Sequence, residues 1–241
     1  MLTMKKAQGF ILIILFVACG VIGILLANQF VGSDDQKTPE PVVYPTRTAG
    51  APGDGQTNLV LMRVNDLSAT QPELISIWIA FLGPADYPGL TVMMLYPNPD
   101  APKQVQSLAD AFSLGEDKQP VAEFWQELAS YKFTWDGYLL ADSQAITSIT
   151  GWVNNSQVQL QAQPANNPEG YRIIQYEETS VFKNICSTLG NAEDAAGPVP
   201  DWGSIIPLHM RTDLTFEAMM YSWGKLNPPG NTTPCYILGN P

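Results

Sequence analysis

Three short apolar runs, "NLVLMRV", "LISIWIAFL" and "LTVMMLY", dominate the first half of the chain after residue 57, each bounded by polar, Pro or Gly residues. Runs of this length without an alternating polar face fit strands that are covered on both sides. Helical spacing follows the three runs. Val105, Leu108, Ala111 and Phe112 recur at helical intervals before Gly115, a plausible C-terminal cap. In "PVAEFWQELASY", Pro120 sits at a first-turn position, and Val121, Phe124, Trp125 and Leu128 make one face.

The second half repeats the alternation. "WDGYLLAD" reads as a turn and a short strand, with Asp142 placed to cap a helix running through Ile146 and Ile149. "QVQLQAQ" alternates strictly and reads as a half-exposed strand. "EETSVFKNICSTLG" sets Val181, Phe182, Ile185 and Leu189 on one helical side, ending at Gly190. In the last helix Thr215 is a cap, and Phe216, Met219, Met220 and Trp223 follow i, i+3, i+4, i+7. Strands alternating with helices predict an α/β fold, a three-layer α/β/α sandwich on a central mixed sheet.

Ahead of this domain, Lys5 and Lys6 precede "GFILIILFVACGVIGILLANQFVG", and Asp34, Asp35 and Glu40 follow it. The run is long enough to cross a ~30 Å hydrocarbon core as a helix. The lysines keep the N-terminus cytoplasmic and leave the rest of the chain outside. The expected organisation is a stub and transmembrane anchor over residues 1–31, a linker over 32–56 rich in Pro, Gly and charge, and an extracytoplasmic domain over 57–241. A cleaved signal peptide and a lipoprotein modified at Cys19 in "FVACG" are the alternatives to an uncleaved anchor. Phe16 and the apolar sequence beyond Cys19 count against the lipoprotein.

Cys19 falls in the apolar run, so Cys186 and Cys235 are the pair left to the exported part, and an oxidising compartment favours a bridge between them. That bridge stabilises by about 3–4 kcal/mol on the chain-entropy model. A formal charge of −11, with 12 Lys+Arg scattered along the chain, argues against a nucleic-acid partner.

Common catalytic motifs are missing: there is no GxSxG, GxxxxGK[ST], HExxH or GxGxxG. His209, the one histidine, has no serine or cysteine near it in a triad pattern and reads as structural. Asp66, Asp86, Asp100, Asp136 and Asp142 fall near expected turns, where turn and cap roles explain them. Arg63, at the end of the first run, is the arginine best placed for a phosphate oxygen.

The order of segments over residues 57–226 resembles the LytR–CpsA–Psr family of bacterial envelope proteins. "NLVLMRVND" is similar to its opening strand and Gly-x-Asp-x-Arg turn, "LISIWIAFLGP" to its Ser-Asp-Thr strand, and "LTVMMLYPNPD" to its strand ending Ser-x-Pro-Arg-Asp. "LADAFSLGE", "WDGYLLADSQAITSITGWV" and "MRTDLTFEAM" resemble later family segments in the same order. The resemblance implies an N-terminal transmembrane helix and an extracytoplasmic α/β/α domain. It further implies transfer of glycopolymers from a polyprenyl-diphosphate carrier to an envelope acceptor, with magnesium and arginines on the diphosphate and an apolar pocket for the lipid.

At matching positions the charged residues differ. Arg63 stands at the family's glycine, and its acid falls on Asn65 or Asp66. Ser76 stands at the second-strand aspartate, and Asn98 and Pro99 replace the charged pair after Pro97, with Asp100 next to them. Arg172 is the arginine near the later arginine run. The leading expectation is therefore a non-catalytic binding or assembly component of cell-envelope glycopolymer biogenesis, with a polyprenyl-phosphate lipid or envelope glycopolymer as partner. An active transferase using Arg63, Asp66 and Asp100 around magnesium, with Arg63 and Arg172 on substrate, is the alternative. A purely structural ectodomain is the third reading.

Overall fold

The computed structural model describes residues 55–84, 86–100, 102–154, 158, 160, 164–189, 200–226 and 233–238, all within the unit Val43–Pro241. The expected anchor and all but the last two residues of the expected linker lie outside the described residues. Among the described residues no helix is long and apolar enough to cross a membrane.

The strands are β1 (Thr57–Val64), β2 (Leu74–Leu82), β3 (Leu90–Tyr96), β4 (Gly137–Ala141), β5 (Met210–Thr212) and β6 (Cys235–Leu238). The helices are α1 (Pro102–Ala111), α2 (Ala122–Ser130), α3 (Ser143–Asn154), α4 (Pro168–Thr188), the single turn α5 (Trp202–Ile205) and α6 (Phe216–Leu226). The six strands of the described residues form one sheet in the order β5-β4-β1-β2-β3-β6. β1 pairs parallel with β4, and β3 with β6; the other pairings are antiparallel, so the sheet is mixed as expected.

A continuous apolar strand still divides its side chains between two faces, because successive Cβ atoms point to opposite sides. Val60, Met62 and Val64 of β1 join Ile77 and Ile79 of β2, and Tyr138 and Leu140 of β4, beneath α1 and α2. Leu59 and Leu61 join Trp78, Ala80, Leu82 and Val92 beneath α4 and α6. Helices therefore cover both faces, which makes the three-layer sandwich. Fully burying each Leu, Ile or Phe stabilises by about 1.5–3 kcal/mol, so neither face is dispensable.

Local signals explain most of the ends. Asp142 caps α3, its Oδ1 accepting from the backbone N–H groups of Gln144 (2.9 Å) and Ala145 (3.1 Å). Asn167 caps α4 in the same way through Gly170 (2.8 Å), with Pro168 in the first turn. Thr215 Oγ1 accepts from Ala218 N–H (3.2 Å) at the start of α6. Cys186 of α4 and Cys235 of β6 form a disulfide with Cα atoms 5.5 Å apart, fastening the longest of the described helices to an edge strand.

Several expectations need correction. α1 ends at Ala111, and Gly115 lies beyond it in the turn that brings Leu114 to Pro120, so it is not the cap. α2 begins at Ala122 with Val121 as N-cap, leaving Pro120 buried just outside; its carbonyl accepts from Trp125 Nε1 (3.1 Å). Val158 and Leu160 are not in a strand, and the rest of "QVQLQAQ" apart from these two lies outside the described residues, as does Gly190. α4 starts at Pro168, well before Glu177, where the expected helical segment opens. On α6, Phe216 is 57% exposed and Met220 46%, so its apolar face is only partly covered.

Candidate functional site: a buried ion pair in an apolar cavity

Alternation along β1 puts Arg63 on the same face as Leu59 and Leu61. The antiparallel register sets Arg63 beside Ser76 and Leu61 beside Trp78, so three polar-headed side chains project together under α4. There they meet Glu178, which precedes Val181, Phe182 and Ile185 by three, four and seven residues and so lies on the buried stripe of α4. Glu178 Oε1 accepts from Arg63 Nη1 (2.9 Å) and Ser76 Oγ (2.8 Å), and Oε2 accepts from Trp78 Nε1 (2.5 Å). Arg63 Nη2 donates to Ser143 Oγ (3.2 Å) at the start of α3. The side chains of Arg63 and Glu178 are only 3% and 6% exposed.

Such a pair is expensive to bury and is tolerated because each charge meets its counter-charge and further hydrogen-bond partners. Removing one partner strands the other, which costs about 3–5 kcal/mol. Arg63 is thus neutralised from within the fold.

Around this pair the space is apolar. A cavity of about 150 Å³ borders Arg63, Ser76, Trp78 and Glu178 and is walled by residues such as Leu139, Ile146 and Val181. A second, of about 260 Å³, extends toward α6 and is walled by Trp152, Trp202, Trp223, Met219 and Leu226, with Ser222 its one side chain that is neither apolar nor aromatic. Leu61, Leu139, Ile149, Phe182 and Ile185 line both. Trp152 packs on Trp223 (centroids 5.2 Å) and edge-on to Trp202 (5.7 Å), forming an aromatic wall.

The expected site residues are not brought together. Asp66 is exposed beyond the end of β1, where its Oδ1 accepts from Ser68 N–H (2.8 Å) and Oγ (2.6 Å); these bonds hold its carboxyl below the ordinary value. Asp100 is exposed past β3, its N–H donating to Asn98 Oδ1 (3.0 Å). Arg172 is exposed on α4 and lies 3.9 Å from Glu169. None of these three lines either cavity. Among the described residues no three His, Cys, Asp or Glu side chains are grouped to hold a metal ion.

His209 Nδ1 lies 2.7 Å from Asp142 Oδ2, and Asp142 N–H donates to the His209 carbonyl (3.0 Å). This couples the entry to β5 with the cap of α3, a structural role. Sequence reasoning identified Arg63 as a site residue, noted Ser76 only as a replacement of the family's aspartate, and missed Glu178. The available signal was a carboxylate on an otherwise apolar helical stripe, where a buried acid requires a partner.

No family model matches the chain, and no curated protein matches it. Solved structures give weak likenesses. "TagT bound to LIIa-WTA" aligns at 8% identity with a TM-score of 0.48, covering 78% of this chain and 80% of that one. "TagT bound to LI-WTA" gives 8% and 0.47 over 78% and 80%. B. subtilis TagV gives 11% and 0.42, covering 77% of this chain and 85% of the other.

Proposed function

We propose that this chain is a membrane-anchored, extracytoplasmic LytR–CpsA–Psr-like domain that binds the hydrocarbon chain of a lipid and serves as a non-catalytic binding or assembly component in cell-envelope glycopolymer biogenesis. The observation that carries the lipid reading is the apolar space between the sheet and α3, α4 and α6, whose two cavities share five lining side chains. A concave, mostly apolar site with a few convergent polar groups is the usual form of a small-molecule site. The envelope setting draws on the lysine-flanked apolar segment and on the order of segments over 57–226. The non-catalytic reading draws on the pairing of Arg63 with Glu178 and on the separation of Asp66, Asp100 and Arg172 from it.

The test uses the tryptophans already in the cavity walls. A brominated long-chain alcohol titrated into the full chain in non-ionic detergent should quench fluorescence saturably. Replacing Trp152, Trp202 and Trp223 by Phe should remove most of the response. Quenching that rises without saturation, or that the triple substitution leaves undiminished, would exclude this site, the remainder of the response belonging to Trp78 in the small cavity. Magnesium-dependent turnover of a polyprenyl-diphosphate glycopolymer, lost on Arg63→Ala, would overturn the non-catalytic assignment.

A further inference from the structure

Resting on that lipid-binding reading, we infer that the cavity selects a lipid whose polar head is an uncharged hydroxyl and rejects the phosphate and diphosphate forms of the same chain. Among the described residues the lining of the two cavities contains one cation, Arg63, and one anion, Glu178, and they are joined at 2.9 Å. Lys225, also buried, is outside that lining; its Nζ donates to the Gly55 carbonyl (2.9 Å) and Thr57 Oγ1 (3.4 Å) and lies over the Tyr221 ring. A phosphate entering beside Arg63 meets a carboxylate that already holds the guanidinium, Ser76 Oγ and Trp78 Nε1 as donors. Drawing Arg63 away leaves two anions side by side in an apolar enclosure, where like charges interact strongly and neither is hydrated.

A hydroxyl faces the opposite situation. It is a donor, and the small cavity offers it acceptors. Ser76 Oγ gives its proton to Glu178 and keeps lone pairs, and Thr150 Oγ1, likewise in the lining, gives its proton to the Ile146 or Thr147 carbonyl and keeps its own. Phosphate oxygens, acceptors only, find in these two groups more acceptors. Glu178 thus acts as a built-in anion in place of a bound one.

The experiment compares farnesol, farnesyl phosphate and farnesyl diphosphate as probes on the full chain in non-ionic detergent at low salt, read by tryptophan fluorescence. Farnesol should bind at least tenfold more tightly than either phosphorylated form. Glu178→Gln, which releases Arg63 while keeping side-chain size, should shift that ratio at least tenfold toward the phosphates. Should Glu178→Gln lose its fold, Arg63→Met combined with Glu178→Leu keeps the question open to measurement, because it should retain farnesol and still reject both phosphates. Phosphates bound as tightly as farnesol by the wild type would overturn the inference and leave the lipid reading standing. Binding of none of the three would overturn both. A farnesol preference unmoved by a folded Glu178→Gln, or lost in the double variant, would also overturn it.

Discussion

The two faces of the sheet are built from the same strands and packed to different ends. Beneath α1 and α2, Phe124 meets Phe112 (5.3 Å) and Trp125 (5.2 Å), and Trp125 stacks on Trp135 (5.5 Å) and tilts against Tyr138 (5.2 Å). That face is filled by interlocking rings and carries no buried ion pair in its cluster. Beneath α3, α4 and α6 the sheet offers side chains as apolar as before, yet the helices leave two cavities and a paired charge. Interiors close-pack when nothing else is asked of them. The closed face shows that this sheet can be packed densely, so the open face owes its space to the helices that cover it.

Truncation of one ring on each face tests the contrast most severely. Phe124→Ala should cost about 4–5 kcal/mol of unfolding free energy, because a fully buried ring in a packed cluster leaves a void that its neighbours cannot refill. Phe182→Ala, at a half-buried ring beside space that already exists, should cost about 3 kcal/mol. Equal losses in denaturant titrations would show that the open face is as tightly packed as the closed one.

The ion pair gives the next largest effect. Glu178→Ala should lose about 4 kcal/mol by stranding Arg63, whereas Arg63→Met with Glu178→Leu should recover most of it. A double variant no more stable than the single would mean that the pair contributes net stability, and the open face would then be structural in the same sense as the closed one. Breaking the Cys186–Cys235 bridge by Cys→Ser at both positions should cost about 3 kcal/mol. Because the bridge secures α4, the cover of the open face, protease nicking of α4 should rise more than nicking of α2.

How much of this could be read from the chain follows the same division. The strands announced themselves because continuous apolar runs have few other uses, and Asp142 and Thr215 are caps by local chemistry. The three-residue β5 and four-residue β6 carry too little pattern to be seen, since their pairing to Leu139–Ala141 and to Leu90–Met93 is decided by distant partners. Arg63 was legible as a candidate, but its partner was not: Glu178 lies 115 residues away, and a helical stripe tells which side is buried without telling what waits there. The family resemblance, carried over position by position, set Asp66 and Asp100 with Arg63 in the transferase alternative. The loops carry both of them out into solvent instead.

The smallest effect lies in one of those loops and gives the surface scale against which the two faces are measured. Asp66 is exposed, and its carboxyl is held below the ordinary value of 3.8 first by the Ser68 hydroxyl, then by the Ser68 N–H, with His209 adding a favourable charge interaction. A carboxylate with a lowered folded-state value contributes stability that is present above 3.8 and is lost as pH falls through the lowered value. Asp66→Asn keeps an acceptor for Ser68 but removes the charge. Wild type should therefore hold a slight advantage in urea midpoint at neutral pH, shrinking to nothing in strong acid, with the loss confined to the range below 3.8. The advantage should be well under that of any substitution on either face, because solvent screens an exposed charge. A difference that stayed constant from neutral pH into acid would mean that Ser68 and its neighbours do not favour the charged form. A difference as large as that of Phe182→Ala would mean that the loop at the end of β1 belongs to the open face and not to the surface.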